Sequence, residues 1–179
     1  MYQLLYLLRD VIQLRRGPQD APHSLRLLAA LCVASLLLQL AIARLLKVEG
    51  ETLGAGILAL AFNLGLLYLL LNVRKLANRF VQAALTLLGV ALVFQLLSLP
   101  IVLLAGGHPP AAADHLTPAQ VLLGIVSLPI VIWKLVVDAH ILRHSLDLPF
   151  VSGLVIAVCW IIAELILGAA LGGGAPGST

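Results

Sequence analysis

Residues 121–144 read VLLGIVSLPIVIWKLVVDAHILRH. Up to Trp133 the run carries no charge, and from there it gathers Lys134, Asp138, His140, Arg143 and His144. The apolar part shows no period-two alternation, so it reads as a helix whose solvent is lipid, not as a strand. Its charged end then poses a question about position. Either the helix leaves the membrane near Trp133, or it carries ionisable groups within it.

The rest of the chain sets the frame for that choice. Of 179 residues, 61% are hydrophobic and 11% charged, with a mean hydropathy of +1.10, whereas soluble domains carry about 25% charged residues. A soluble core of this size could not hide so much apolar surface. A membrane span needs about 20 apolar residues, and five stretches qualify: 25–46, 53–73, 80–105, 118–142 and 149–171. The expected fold class is therefore an all-α polytopic membrane protein, with five transmembrane helices in a compact bundle. The arm 1–24 precedes them and a Gly-rich tail, 172–179, expected to be flexible, follows.

Lys and Arg fix an orientation, because short cytoplasmic loops retain positive charge. Arg9, Arg15, Arg16 and Arg26 precede span one, Arg74, Lys75 and Arg79 lie between spans two and three, and Arg143 lies between four and five. The connection after span three and the tail have neither residue type. Only Arg44 and Lys47 dissent, beside Glu49 and Glu51. The amino terminus is expected inside and the carboxyl terminus outside, and the Leu/Ala/Gly-rich composition with short loops points to a bacterial inner membrane. The net charge of +3 is scattered among apolar spans and forms no basic face, which argues against nucleic acid. Cys32 and Cys159 fall inside apolar runs and read as packing thiols.

In the arm, Leu4, Leu5, Leu8, Val11 and Ile12 recur at helical spacing among Gln3, Arg9, Asp10 and Gln13. The pattern predicts a short amphipathic interfacial helix, with Arg15 and Arg16 near anionic lipid, the alternative being a helix packed on the cytoplasmic loops. Small residues four apart, Ala30 with Ala34, Ala55 with Ala59 and Gly153 with Ala157, permit close helix approach. The five residues SLPIV occur twice, at 98–102 and 127–131, so Pro100 and Pro129 are expected to kink spans three and four, each preceding Ser helping to satisfy a freed carbonyl.

Polar residues within the spans supply the site candidates. Glu164 stands out, since an intramembrane carboxyl suggests function by default. Lys134 and Asp138, about 40° apart on a helix, can pair, and Asn63 and Gln95 are further intramembrane polar candidates. If the hydrocarbon ends at Trp133, that ring joins the interfacial aromatic belt and Lys134 snorkels to the headgroups, the slightly cheaper arrangement. Residues 134–148 then form a cytoplasmic stub that offers His140, Arg143 and His144, with Arg15 and Arg16 of the arm, as a partner surface. His140, His144 and Asp147 have the spacing of a weak metal site, without an HExxH glutamate. His108, Asp114 and His115 sit in a Pro/Ala connector with no second cluster. No nucleophile elbow, phosphate-binding loop or thiol pair appears, so no enzyme and no cofactor is expected.

The five spans, the arm ending in RRGPQDAPHS, Arg79-Phe80 opening span three and the repeated SLPIV together resemble the Yip1-type membrane family in its short bacterial form, over roughly residues 25–171. The resemblance implies action without catalysis, as a membrane organiser that binds other proteins. The leading expectation is accordingly a non-enzymatic scaffold or assembly partner acting through its cytoplasmic arm and loop. The alternative is a small transporter or proton-coupled permease using Glu164 and Lys134. No particular partner and no oligomeric state is readable.

Overall fold

The computed structural model describes residues 2–46, 53–104 and 118–172. The connections at 47–52 and 105–117, with His108, Asp114 and His115, and the tail from 173 lie outside the described residues.

Six helices follow in order: α1 (Tyr2–Ile12), α2 (Leu25–Leu46), α3 (Leu53–Val73), α4 (Phe80–Leu104), α5 (Pro118–Leu146) and α6 (Phe150–Gly172). The last five are long and apolar enough to cross a membrane. Their bounds match the expected spans within a residue or so, except that α5 runs on past 142 to Leu146. Pro149 sets the start of α6, because the residue before a proline resists helix. Ser24 starts α2 by accepting the Leu27 N–H on its Oγ at 3.3 Å.

Three helix ends meet at one end of the bundle, and each turns on a residue other than glycine with positive φ: Leu14, Lys75 and Asp147. Each is followed by the hydrogen bond that closes a left-handed helix cap, Arg15 N–H to Asp10, Leu76 N–H to Leu71 and Leu148 N–H to Arg143. Arginines complete the same layer. Arg74 Nε donates to the Leu146 carbonyl at 3.3 Å, and Arg79 Nη1 reaches the His144 carbonyl and both oxygens of Asp147, the latter at 2.9 Å. The cations that mark topology in the sequence thus also satisfy the orphan carbonyls at the end of α5.

Helix α5 packs most extensively along α6 and α4, and α2 lies on α4 and α3. The α5–α6 contact is close because Gly153 faces the Ala139 carbonyl and Arg143; a Cβ there would stand 2.6 Å from that oxygen. Ala157, one turn on, is also buried. Ala30 and Ala34, by contrast, are exposed on α2 and make no such seam. Both SLPIV helices continue through their prolines. Ser98 Oγ donates to the Gln95 carbonyl and Ser127 Oγ to the Gly124 carbonyl. These carbonyls lie one residue before the ones that the prolines deprive of a donor, which corrects the expected pairing.

The arm departs from its expected place. Leu4, Leu7, Leu8 and Val11 are buried in one cluster with Val90 and Phe94 of α4 and Val137 and Ile141 of α5. Phe94 lies fourteen residues into α4, about 21 Å along its axis. The arm is seated against the bundle instead of spreading its apolar face at the headgroups, and Leu5, counted in that face from the sequence, is exposed. Polar bonds fix it there. Gln82 Nε2 donates to the carbonyls of Gln19 and Ala21 at 3.2 and 2.9 Å, and His140 Nε2 donates to that of Arg16 at 3.0 Å. In lipid, where apolar burial between helices contributes little, such bonds and close packing do the holding. Leu8 fits only because position 89 is glycine, its Cδ2 lying 2.7 Å from where a Cβ would be. A Gly89→Phe variant is therefore expected to dislodge the arm and make a cysteine placed at Leu7, which is buried in the wild type, reactive towards a water-soluble maleimide in a background with Cys32 and Cys159 replaced, while Gly89→Ala, which needs only a turn of the Leu8 side chain, leaves it protected. Equal labelling with glycine and with phenylalanine at position 89 would contradict the packing.

Candidate functional site

Polar side chains from three helices converge on a partly open cavity of about 140 Å³ lined by α3, α4, α5 and α6. Asn63 comes from α3, Lys134 and Asp138 from α5, and Trp160 and Glu164 from α6; leucines, alanines and Ile161 complete the wall, α4 giving only apolar residues. Four of the five intramembrane polar candidates therefore meet. Gln95 is absent from the lining, and so are Pro100 and Pro129, which are exposed on their helices.

Two contacts organise the cavity. Lys134 Nζ pairs with Asp138 Oδ2 across one helical turn of α5. Trp160 Nε1–H donates to Asn63 Oδ1, tying α6 to α3, and Asn63 Nδ2 in turn donates to the Ala59 carbonyl at 3.0 Å. This chain of bonds leaves the Asn63 amide fixed and uses up the indole N–H. Glu164 has no hydrogen bond or ion pair among the described residues, though it lies one turn beyond Trp160.

The cavity is deep. Lys134 stands twelve residues before the end of α5, about 18 Å along the axis, and Glu164 fourteen residues into α6, about 21 Å. Between that level and the arginine layer, α3 and α6 expose Tyr68, Leu69, Val73, Val151 and Val155, each by more than half. Exposed apolar side chains of that kind on α3 and α6 suit lipid as their surroundings. Lys134 and Asp138 fall within the apolar stretch Val121–Leu146, which is long enough to cross a membrane.

Helix α5 is correspondingly not a projecting stub. Its outer part, Val121 to Trp133, is largely exposed, whereas Val137, Ala139, Ile141, Leu142 and Leu146 are essentially inaccessible. The predicted surface on it is mostly closed as well. His140 is 4% exposed and engaged with the arm. Arg143 is half-buried, its guanidinium 5.7 Å above the Phe150 ring and its Nη2 donating to His144 Nε2. Only Arg15 and Arg16 remain exposed, Arg16 pairing with Asp10 at 3.2 Å. Asp147, the third weak metal candidate, is taken by Arg79, and no group of three possible ligands is found among the described residues.

Nothing in the sequence singled out Gln82 or Leu7. The Gln82 role was hidden because its partners are backbone carbonyls some sixty residues away.

The fold and site define a multi-pass helical membrane protein with a polar cavity at mid-depth. Among protein-family models, curated proteins and solved structures, none matches the chain.

Proposed function

We propose that the protein is a small proton-coupled transporter that works through Lys134, Asp138 and Glu164. The observation that carries this reading is the convergence of those residues and Asn63 on one cavity at mid-depth. Binding sites between helices near the bilayer midplane are the usual arrangement in such proteins. The Lys134–Asp138 pair is neutral in sum, so Glu164 is the group that answers an incoming positive charge. Lys134, on a flexible stem, can exchange between the two carboxyls as that charge arrives and departs. Helix α3 touches α5 and α6 only lightly, so it is the natural element to move. The proposed setting is a bacterial inner membrane. Its amino terminus is cytoplasmic and its carboxyl terminus outside, in keeping with the clustering of Arg and Lys at one end.

In vesicles carrying a trapped pH dye, an imposed potential should drive proton flux through the wild type. Glu164→Gln should return it to the level of protein-free vesicles, with helicity unchanged. Flux indifferent to this substitution would remove the proposal. A scaffold role, in the manner that the Yip1-type resemblance implies, is the second reading; the exposure of Arg15 and Arg16 favours it, and it requires no flux at all.

A further inference from the structure

We propose that Glu164 is reached from the lipid, and that the ligand it holds is a small organic amine carried as its ammonium ion. This rests on the transporter reading and names its substrate class. Four features of the site lead to it.

First, size: about 140 Å³ is close to the roughly 150 Å³ that accommodates one benzene molecule. The ligand is therefore compact. Second, the wall is mostly aliphatic, from Leu64, Leu87, Leu88 and Ile161 among others, and it suits a hydrocarbon body better than a hydrated metal ion. Third, charge: with Lys134 and Asp138 paired, Glu164 is a single acceptor without a partner among the described residues, which matches one positive charge. The Trp160 ring, its N–H already committed to Asn63, adds an aromatic surface of the kind that attracts ammonium groups.

Fourth, access. Glu164 lines the cavity and is also exposed on α6, where its neighbours Ile162, Leu165 and Ile166 are exposed too. It lies about 21 Å from one end of α6 and about 12 Å from the other. The mouth of the cavity thus opens into the hydrocarbon, not into water. Inorganic cations cannot travel that way, because stripping their hydration is prohibitive. A neutral amine can. At the mouth one proton shared between the amine nitrogen and the Glu164 carboxyl leaves the complex neutral overall, whichever of the two atoms carries it.

The test uses the full-length protein in phospholipid vesicles. Dicyclohexylcarbodiimide, which partitions into lipid, is expected to modify Glu164, while a water-soluble carbodiimide does not. N,N-Dimethylethylamine, an isomer of butylamine that as a tertiary amine cannot be coupled to the activated carboxyl, should abolish the modification, and butanol or sodium ions should not. In a Trp133→Phe background, where Trp160 is the remaining indole, N,N-dimethylethylamine should also shift the fluorescence, and Glu164→Gln should lose that shift. Modification by the water-soluble reagent, or by neither reagent in folded protein, would overturn access from the lipid. Modification that N,N-dimethylethylamine leaves unchanged would overturn the amine class. Either failure can coexist with proton flux that depends on Glu164, so it is distinguishable from failure of the transporter reading itself.

Discussion

Asp138→Asn is expected to destabilise the protein by about 3–5 kcal/mol, the cost of leaving one member of a buried ion pair without its partner. The Asp138 side chain is only 14% accessible and that of Lys134 35%. With the carboxylate gone, the ammonium group stands about 18 Å from the arginine layer. A lysine stem cannot span that distance to reach water, so snorkelling gives no relief. Glu164 is then the one carboxyl left in the cavity, and adding Glu164→Gln should deepen the loss. Replacing both partners, Lys134→Met with Asp138→Leu, should restore most of the stability, since an apolar pair of similar volume avoids the desolvation of two charges. The same double variant should carry no flux. Unfolding in mixed micelles, followed by fluorescence, gives the comparison. An Asp138→Asn protein as stable as wild type would mean that Lys134 is bathed in water, and the depth assigned to the cavity would be wrong.

Gly153→Ala should have the largest effect of any single-methyl change. The added Cβ would lie 2.6 Å from the Ala139 carbonyl oxygen, with Arg143 Cβ at 3.1 Å and its backbone nitrogen at 3.2 Å. Two of these neighbours are backbone atoms, which cannot rotate aside as Leu8 can at Gly89. Helices α5 and α6 must therefore separate along their most extensive contact. Overpacking costs typically 1–3 kcal/mol, and about the upper end is expected here. Ala157, Trp160 and Glu164 follow on the same helix, so the separation should also widen the cavity and reduce flux. Gly65→Ala and Gly168→Ala meet nothing within 4 Å and should stay within about 0.5 kcal/mol of wild type. If all three alanine variants unfold alike, the close crossing at Gly153 is not what holds α5 to α6.

The contrast between these residues shows which parts of the structure are legible in a sequence. The α3 and α6 spans were readable to within a residue because length and apolarity are local properties that lipid enforces directly. The pairing of Lys134 with Asp138 was readable too, since it spans one helical turn. Glu164 was singled out by its cost in lipid. What could not be read was its company. Asn63, on α3, and Trp160, on α6, are 97 residues apart and meet only because those two helices cross beside α5. The arm makes the same point in reverse. Its spacing shows an apolar face, but the same face serves a lipid surface or a protein groove, and the choice fell to Gly89, Gln82 and His140.

The sequence by itself thus determined the solvent, the number of helices, their ends and the side on which the cations gather. All of these follow from the energy of single residues or single turns in lipid. Tertiary structure alone decided that the arm folds inward, that residues 134–146 are core, and that four scattered polar groups share one cavity. In lipid every span is apolar on all sides, so no hydrophobic stripe in the sequence announces which face meets which; shape and a few polar bonds make that choice.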